Sequence, residues 1–195
     1  MRRRINLRYT DDLPAAPELR RMESLALADR RSFETRFGAP LDPRRLVEFY
    51  DVCGILETYA GYEAYFGRSI QGTFDGLERW SGLVQSVECG DYLMLINPDH
   101  HQLRRTLTIA HEFGHIVLAH QPITVEDEGG MRQTRYSEHQ EGEAYAYGLA
   151  LLLPYAPLLQ ILEQHAPLES IARHYGVSLQ AVQMRLKLTG LWGMR

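Results

Sequence analysis

The strongest restriction on the fold of this 195-residue chain comes from five consecutive residues: His111, Glu112, Phe113, Gly114 and His115. Apolar residues stand on both sides of them, so the pattern predicts a buried helix. Residues four positions apart lie on one face of a helix, so both imidazoles can bind one Zn²⁺ ion at about 2.0–2.1 Å. Glu112 lies beside this pair, where it suits the general base of metal-assisted hydrolysis. Gly114 leaves room for another element to approach the metal.

A catalytic zinc ion needs a third protein ligand and one open position. The downstream candidates are His120 and the acidic residues Glu141 and Glu143. His120 lies about 140° around the helix from His115, which aims it elsewhere and indicates a residue at the helix end. We favour Glu143, because apolar residues continue its face of a separate helix. Glu141 is about 200° away on that helix, and we expect it to be exposed or to stand behind the ligands.

The surrounding patterns predict an α+β fold with a small, mostly antiparallel sheet. Predicted helices cover residues 14–37, 43–53, 100–120, 137–153, 171–175 and 179–188, and predicted strands cover 55–59, 72–77, 82–87 and 92–96. Asp99 with Gln102, and Ser137 with Gln140, predict capping boxes at the starts of two helices. A polar loop is expected over residues 122–136.

Composition excludes several classes of protein. The chain is 45 % hydrophobic and 24 % charged, which argues against disorder and against a coiled-coil rod. Its longest uncharged apolar stretch contains one glycine and two prolines and predicts a poor membrane span. No secretory signal is visible after the first arginines, and Cys53 and Cys89 are too few for a disulfide framework. We therefore expect one catalytic domain in the cytoplasm.

Two separated motifs resemble those of the ImmA/IrrE-type metallopeptidases. They are Arg104-x-x-Leu107-Thr108-Ile109-Ala110-His111-Glu112-Phe113-Gly114-His115, and Glu141-x-Glu143-Ala144 followed by Leu151-Leu152-Leu153-Pro154. The resemblance is good over residues 92–154 and looser on either side. It implies a thermolysin-like zincin with Glu143 as the third zinc ligand.

The resemblance also implies a substrate and a role. Members of this family are expected to cut a helix-turn-helix repressor and so relieve repression of stress-response or mobile-element genes. Zn²⁺ is the expected cofactor, with Mn²⁺ as the alternative inside the cell. The chain departs from the family pattern at Tyr145, where a small Asn or Asp is usual and would be able to orient a metal ligand.

The last thirty residues resemble a helix-turn-helix. Gly176 lies in the turn, Ser178 predicts an N-cap, and the net charge of residues 166–195 is +3, against −11 for residues 46–165. We predict a boundary between a metallopeptidase domain, residues 1–165 with its first helices in 1–54, and a unit of residues 166–195. The side chains predicted to face DNA or a partner are Gln180, Gln183, Arg185 and Lys187, although packing or docking of this unit is the favoured interpretation.

Two further residues border the helix that carries Glu143. Tyr136 and His139 are candidates to donate a hydrogen bond to the oxyanion that develops during peptide hydrolysis. The alternative function is a regulator, DNA-binding or one half of a toxin–antitoxin-like pair, whose metal site is structural or vestigial. The partners expected are the repressor and, less strongly, DNA, with no membrane, and the protein is a monomer or a dimer.

Overall fold

A computed structural model describes residues 7–33, 35–67, 69, 80–87, 91–126 and 132–194. Helices pack around a small sheet, which confirms the predicted α+β class. The helices are α1 (Pro17–Ser32), α2 (Pro43–Tyr50), α3 (Tyr59–Phe66), α4 (Gln102–Val117), α5 (Glu138–Leu152), α6 (Tyr155–Glu163), α7 (Leu168–Tyr175) and α8 (Leu179–Leu188). The strands are β1 (Cys53–Leu56), β2 (Gly82–Ser86), β3 (Tyr92–Ile96), β4 (Ile123–Glu126) and β5 (Arg132–Arg135).

The three-stranded sheet has β3 at its centre. β1 pairs with β3 in parallel, and β2 pairs with β3 antiparallel, with Val84 opposite Met94. Leu93, Met94 and Ile96 are buried, as the uniformly apolar run of β3 predicted. Within the part of the chain that the structure describes, the second edge of β2 pairs with no other strand.

Helices α4 and α5 cross at close range because two glycines lie at their contact. A Cβ atom at Gly114 would lie 3.1 Å from the carbonyl oxygen of Ala144, and one at Gly148 would lie 3.0 Å from the backbone of Ala110 and of His111. Any larger residue at either position would force the two backbones apart. The prediction that Gly114 makes room for another element is confirmed.

Side-chain caps fix several helix starts. Ser137 and Gln140 form the predicted capping box of α5, and the Ser178 hydroxyl accepts a hydrogen bond from the Ala181 N–H at the start of α8. The predicted capping box of α4 is wrong. That helix begins at Gln102, where the His101 ring accepts the Leu103 N–H, and the Asp99 carboxylate instead accepts the Tyr59 hydroxyl at 2.8 Å.

Four elements are absent from the sequence prediction. Helix α3 begins one residue after Thr58, whose hydroxyl caps it, where a strand was expected to extend to Tyr59. Strands β4 and β5 pair as a hairpin inside the expected polar loop, and helix α6 follows Pro154. The predicted strand over residues 72–77 lies outside the described residues.

The C-terminal helices share one hydrophobic core with the rest of the protein. Side chains of α7 and α8, among them Ile171, Tyr175, Val182 and Leu186, belong to the same buried cluster as those of α4 and α5. The boundary between residues 165 and 166 stays a prediction. Among the described helices, no single one has the length and hydropathy to cross a bilayer; α5 and α6 pass that test only together, bent by 60°.

Candidate metal centre

The two histidines of the central motif point to the same place. His111 and His115 lie one turn apart on α4, both nearly inaccessible to solvent, and their Nε2 atoms are 3.2 Å apart. Their rings meet edge to face, with centroids 4.8 Å apart. Two buried imidazoles whose Nε2 atoms converge in this way can both direct a lone pair at one shared cation.

Glu141 completes the group. One of its carboxylate oxygens lies 3.2 Å from His111 Nε2, and the other lies 3.9 Å from His115 Nε2. Ligand atoms at 2.0–2.1 Å from a tetrahedral zinc ion are about 3.3 Å from one another. The observed separations fit that geometry, so His111, His115 and Glu141 can hold a metal ion.

Two of the three donor groups, His115 and Glu141, are in the ionisation states that metal binding requires. Burial lowers the pKa of His115 to about 3, so its imidazole is neutral at pH 7. The side-chain hydrogen bond with His111 lowers the pKa of Glu141 although partial burial acts in the opposite direction, so that carboxyl is ionised at pH 7. A cation would displace no proton from either group at neutral pH.

Glu112 adjoins the metal-binding group but is not part of it. Its side chain is buried, and burial raises its pKa to about 7, with His111 acting in the opposite direction. The backbone N–H of Val84 in β2 donates a hydrogen bond to its carboxylate. A carboxyl group with a pKa near the working pH both accepts and returns a proton efficiently, which is what a general base that later acts as an acid requires.

The structure corrects the choice of Glu143 as the third ligand. The Glu143 carboxylate forms an ion pair with Arg21 at 2.9 Å and lies 3.3 Å from Nε2 of His120. Helix α5 is covered by α1 on one face and by α4 on another, so apolar neighbours mark both faces. Glu143 lies on the α1 face and Glu141 on the α4 face, beside the imidazoles.

Two of the three other candidates contact the histidines. Tyr136 stacks on His115 with ring centroids 3.7 Å apart, and burial raises its pKa to about 12, so its phenol stays protonated and can donate a hydrogen bond. Tyr145 lies over His111, with centroids 4.1 Å apart. His139 does not reach the site: its side chain is 78 % exposed and its nearest ionic partner is Glu143, at 3.6 Å.

Two clefts open on the metal-binding group. One, lined by Gln180 and Met184 of α8, has a volume of about 680 Å³ and is called the α8-side cleft. The other, lined by Tyr136, has a volume of about 610 Å³ and is called the Tyr136-side cleft. Trp80, Gly82, Glu112 and Glu141 line both, so the clefts meet at the metal-binding group beside β2. Together they make a groove open on both sides of the site.

The predicted DNA-facing residues of α8 have different surroundings. Arg185 is 1 % exposed, forms an ion pair with Glu23 and donates to the Leu153 carbonyl at 3.0 Å, so it cannot face DNA. Gln180 lines the α8-side cleft, and the ammonium of Lys187 lies over the Trp192 ring. Gln183 is partly buried. DNA binding by this helix stays a prediction.

A stripe of small residues is the signal by which Glu141 can be found in the sequence. Ala144 and Gly148 are four positions apart and form the face of α5 that contacts α4. Glu141 lies one turn before Ala144 on that face. Close helix contacts require small residues, so this stripe, rather than the large apolar residues, marks the side of α5 that faces the histidines.

Comparison with known proteins agrees with these observations. A search of curated proteins gives no significant match. The family model of peptidase M78, described as the IrrE N-terminal-like domain, matches residues 72–187, which is more than half of the chain. The matched segment contains His111, His115 and Glu141, the adjacent Glu112, and helix α8 except for its last residue. The chain therefore belongs to the peptidase M78 family, the ImmA/IrrE-type group that its two motifs resemble.

Proposed function

We propose that this protein is a zinc-dependent endopeptidase that makes a limited cut in a helix-turn-helix repressor. The observation that carries the proposal is the position of Glu112. This buried carboxyl group, with a pKa of about 7, adjoins a His–His–Glu group at the point where two clefts meet. A purely structural zinc site is closed by four protein ligands, whereas this group supplies three among the described residues.

His111, His115 and Glu141 would hold the ion. Zinc supplies Lewis acidity, which polarises a scissile carbonyl and acidifies water. Glu112 takes the proton of the attacking water and later passes it to the leaving amine. Tyr136 keeps its phenolic proton at neutral pH and donates it in a hydrogen bond to the developing oxyanion.

The shape of the groove favours an extended peptide as the substrate. The edge of β2 that pairs with no other described strand runs along the groove, and the Val84 N–H on that edge already reaches Glu112. An extended segment can add to such an edge through main-chain hydrogen bonds. We therefore propose that the scissile bond lies beside β2, with the two clefts receiving side chains on either side of it.

A repressor with an exposed linker meets these requirements. A tightly folded domain cannot enter the groove, whereas a linker or a locally unfolded segment can. Cutting such a linker separates a DNA-binding unit from its dimerisation unit and lowers its affinity for the operator. The family to which the chain belongs supports this substrate class, and Zn²⁺ or Mn²⁺ is the proposed metal in the cell.

The experiment incubates the purified protein with Zn²⁺ or Mn²⁺ and helix-turn-helix repressors of the same genome, beginning with any that is encoded beside its gene, and follows the products by gel and mass spectrometry. We expect one cleavage in the wild-type reaction. We expect the Glu112→Gln variant to be slower by about 10²–10⁴-fold, because a general base contributes a factor of that size. Both proteins should bind the same amount of zinc.

Two results would overturn the proposal. One is no cleavage by the wild-type protein with the metal bound and the repressor in excess. The other is cleavage by Glu112→Gln at the wild-type rate, which would show that Glu112 is not the base. A DNA mobility shift that persists in Glu112→Gln would then favour the regulator.

A further inference from the structure

We propose that His120 and Glu143 position the metal ligand His115 through a continuous hydrogen-bond chain anchored by Arg21. This inference rests on the proposed function in one respect only, that a metal binds to His111, His115 and Glu141. It assigns a role to two residues that the mechanism leaves unused. One is His120, which a continuous helix would direct away from His115, and the other is Glu143, which is not a metal ligand in the structure.

The chain of contacts runs away from the metal-binding group. Nδ1 of His115 lies 2.9 Å from Nδ1 of His120, and Nε2 of His120 lies 3.3 Å from a carboxylate oxygen of Glu143. The other oxygen of Glu143 accepts a hydrogen bond from Arg21 at 2.9 Å. The side chains of His115 and His120 are 1 % and 6 % exposed, so water competes little for the bond between these two rings.

A metal bound to Nε2 of His115 would fix the direction of every hydrogen bond in this chain. With its Nε2 atom directed at the metal, neutral His115 carries its proton on Nδ1 and donates it to His120. His120 then accepts at Nδ1 and carries its own proton on Nε2, which it donates to the carboxylate oxygen of Glu143. A ligating histidine whose other nitrogen donates to an acceptor is held in one tautomer and one ring orientation and becomes a stronger base.

The backbone after α4 brings His120 to this place. The helix ends at Val117, and Ala119 adopts the left-handed conformation, with φ of 51°. The N–H of His120 donates to the carbonyl of His115, which folds the chain back along the helix end. The helical wheel therefore does not apply to His120, and its ring lies against the ring of His115.

The two histidine ligands are supported unequally. Among the described side chains, Nδ1 of His111 is a buried atom with no hydrogen-bond partner. The ring of His111 contacts Tyr145, which stands where the family pattern has a small polar residue. Of the two histidine ligands, only His115 has a described hydrogen bond that orients its ring from behind. We therefore expect the loss of this hydrogen-bond chain to weaken metal binding.

The experiment measures the dissociation constant of zinc for the purified full-length protein by competition with a chromogenic chelator. We expect His120→Ala and Glu143→Ala each to weaken zinc binding by about 10–100-fold, the usual cost of losing an outer partner of a metal ligand. The double variant should bind zinc no more weakly than His120→Ala, because both residues act through one chain.

His139→Ala is the matched control. It also removes an imidazole near Glu143, but one that is 78 % exposed and does not reach His115. We expect its zinc affinity to stay within about twofold of the wild type, because exposed ion pairs contribute little. His120→Asn should recover part of the affinity, since its side-chain oxygen can accept the His115 proton in place of Nδ1.

A spectroscopic readout separates positioning from general stability. In nitrogen-15 spectra of the zinc-loaded protein, His115 should carry a slowly exchanging proton on Nδ1, and His120→Ala should expose that proton to exchange. Thermal unfolding of the metal-free variants checks that they fold.

The inference fails if folded His120→Ala and Glu143→Ala bind zinc as tightly as the wild type. It also fails if the increase in the zinc dissociation constant of the double variant equals the product of the increases of the two single variants. It stands if zinc binding depends on His120 and no repressor is cut, in which case only the proposed substrate fails. A wild-type protein that binds no zinc contradicts both proposals.

Discussion

Glu112 and His115 are both buried, and burial shifts their pKa values in opposite directions. The pKa of Glu112 rises from 4.5 to about 7, and that of His115 falls from 6.5 to about 3. Both groups are therefore inclined to be neutral in the metal-free protein. Burying these two groups lowers the stability of the fold. It also leaves His115 without a proton, ready to bind a metal, and gives Glu112 a pKa at which it can take up and release a proton near neutral pH.

The two shifts give opposite slopes of stability against pH. The folded protein binds the Glu112 proton more tightly than the unfolded chain, so this contribution is full below pH 4.5 and is lost as the pH rises to about 7. The unfolded chain binds the His115 proton more tightly, so that contribution is full above pH 6.5 and is lost as the pH falls to about 3. Between pH 4.5 and 6.5 the two slopes oppose each other.

Glu112→Gln removes one of these slopes. In the metal-free protein, we predict that the free energy of unfolding of the variant, relative to the wild type, increases by on the order of 3 kcal/mol between pH 4.5 and pH 8. Urea unfolding at pH 4.5, 6 and 8 measures the difference. A difference between the two proteins that is the same at all three pH values would show that Glu112 titrates normally.

The helices that form the site show how much the sequence reveals about individual elements. The spacing of His111 and His115 predicted the helix and its metal-binding face, and the Ser137–Gln140 capping box predicted the start of α5. The choice between Glu141 and Glu143 failed because it assumed one buried face. A helix packed on two sides has two apolar faces, and large side chains do not indicate which one faces the metal.

The ends of elements were harder to predict than their interiors. His120 was placed by extending the helix, but α4 ends earlier and the left-handed Ala119 redirects the chain. The β4–β5 hairpin was missed because β5, Arg132–Arg135, is polar throughout, and because the apolar–polar alternation of β4, Ile123–Glu126, extends over only four residues. In both places the conformation depends on contacts with distant residues rather than on a local pattern.

In the molecule as a whole, one buried ion pair joins the two ends of the chain. Arg185 of α8 pairs with Glu23 of α1, and both side chains are almost completely buried. The Glu23 carboxylate also accepts the Tyr155 N–H, at 2.6 Å, at the start of α6. These bonds fix α8, which lines one of the two clefts at the metal-binding group, to the N-terminal helix, so the position of that wall depends on residues remote in sequence.

Arg185→Met tests this connection. We predict a loss of about 3–5 kcal/mol in the free energy of unfolding, because the substitution leaves the Glu23 carboxylate buried without its charge partner. Glu23→Gln added to Arg185→Met should recover more than half of the loss, since Gln can still accept the Tyr155 N–H. Urea unfolding checks both values, and a loss below about 1 kcal/mol for Arg185→Met would contradict this account of α8.

The identity of the three metal ligands is tested most directly by anomalous diffraction from crystals of the zinc-loaded protein, with data on both sides of the zinc absorption edge. We predict one zinc peak at about 2.0–2.2 Å from Nε2 of His111, Nε2 of His115 and a carboxylate oxygen of Glu141. Glu143 should remain bonded to His120 and Arg21. A zinc ion coordinated by Glu143, or no zinc peak between the two imidazoles, would contradict the account.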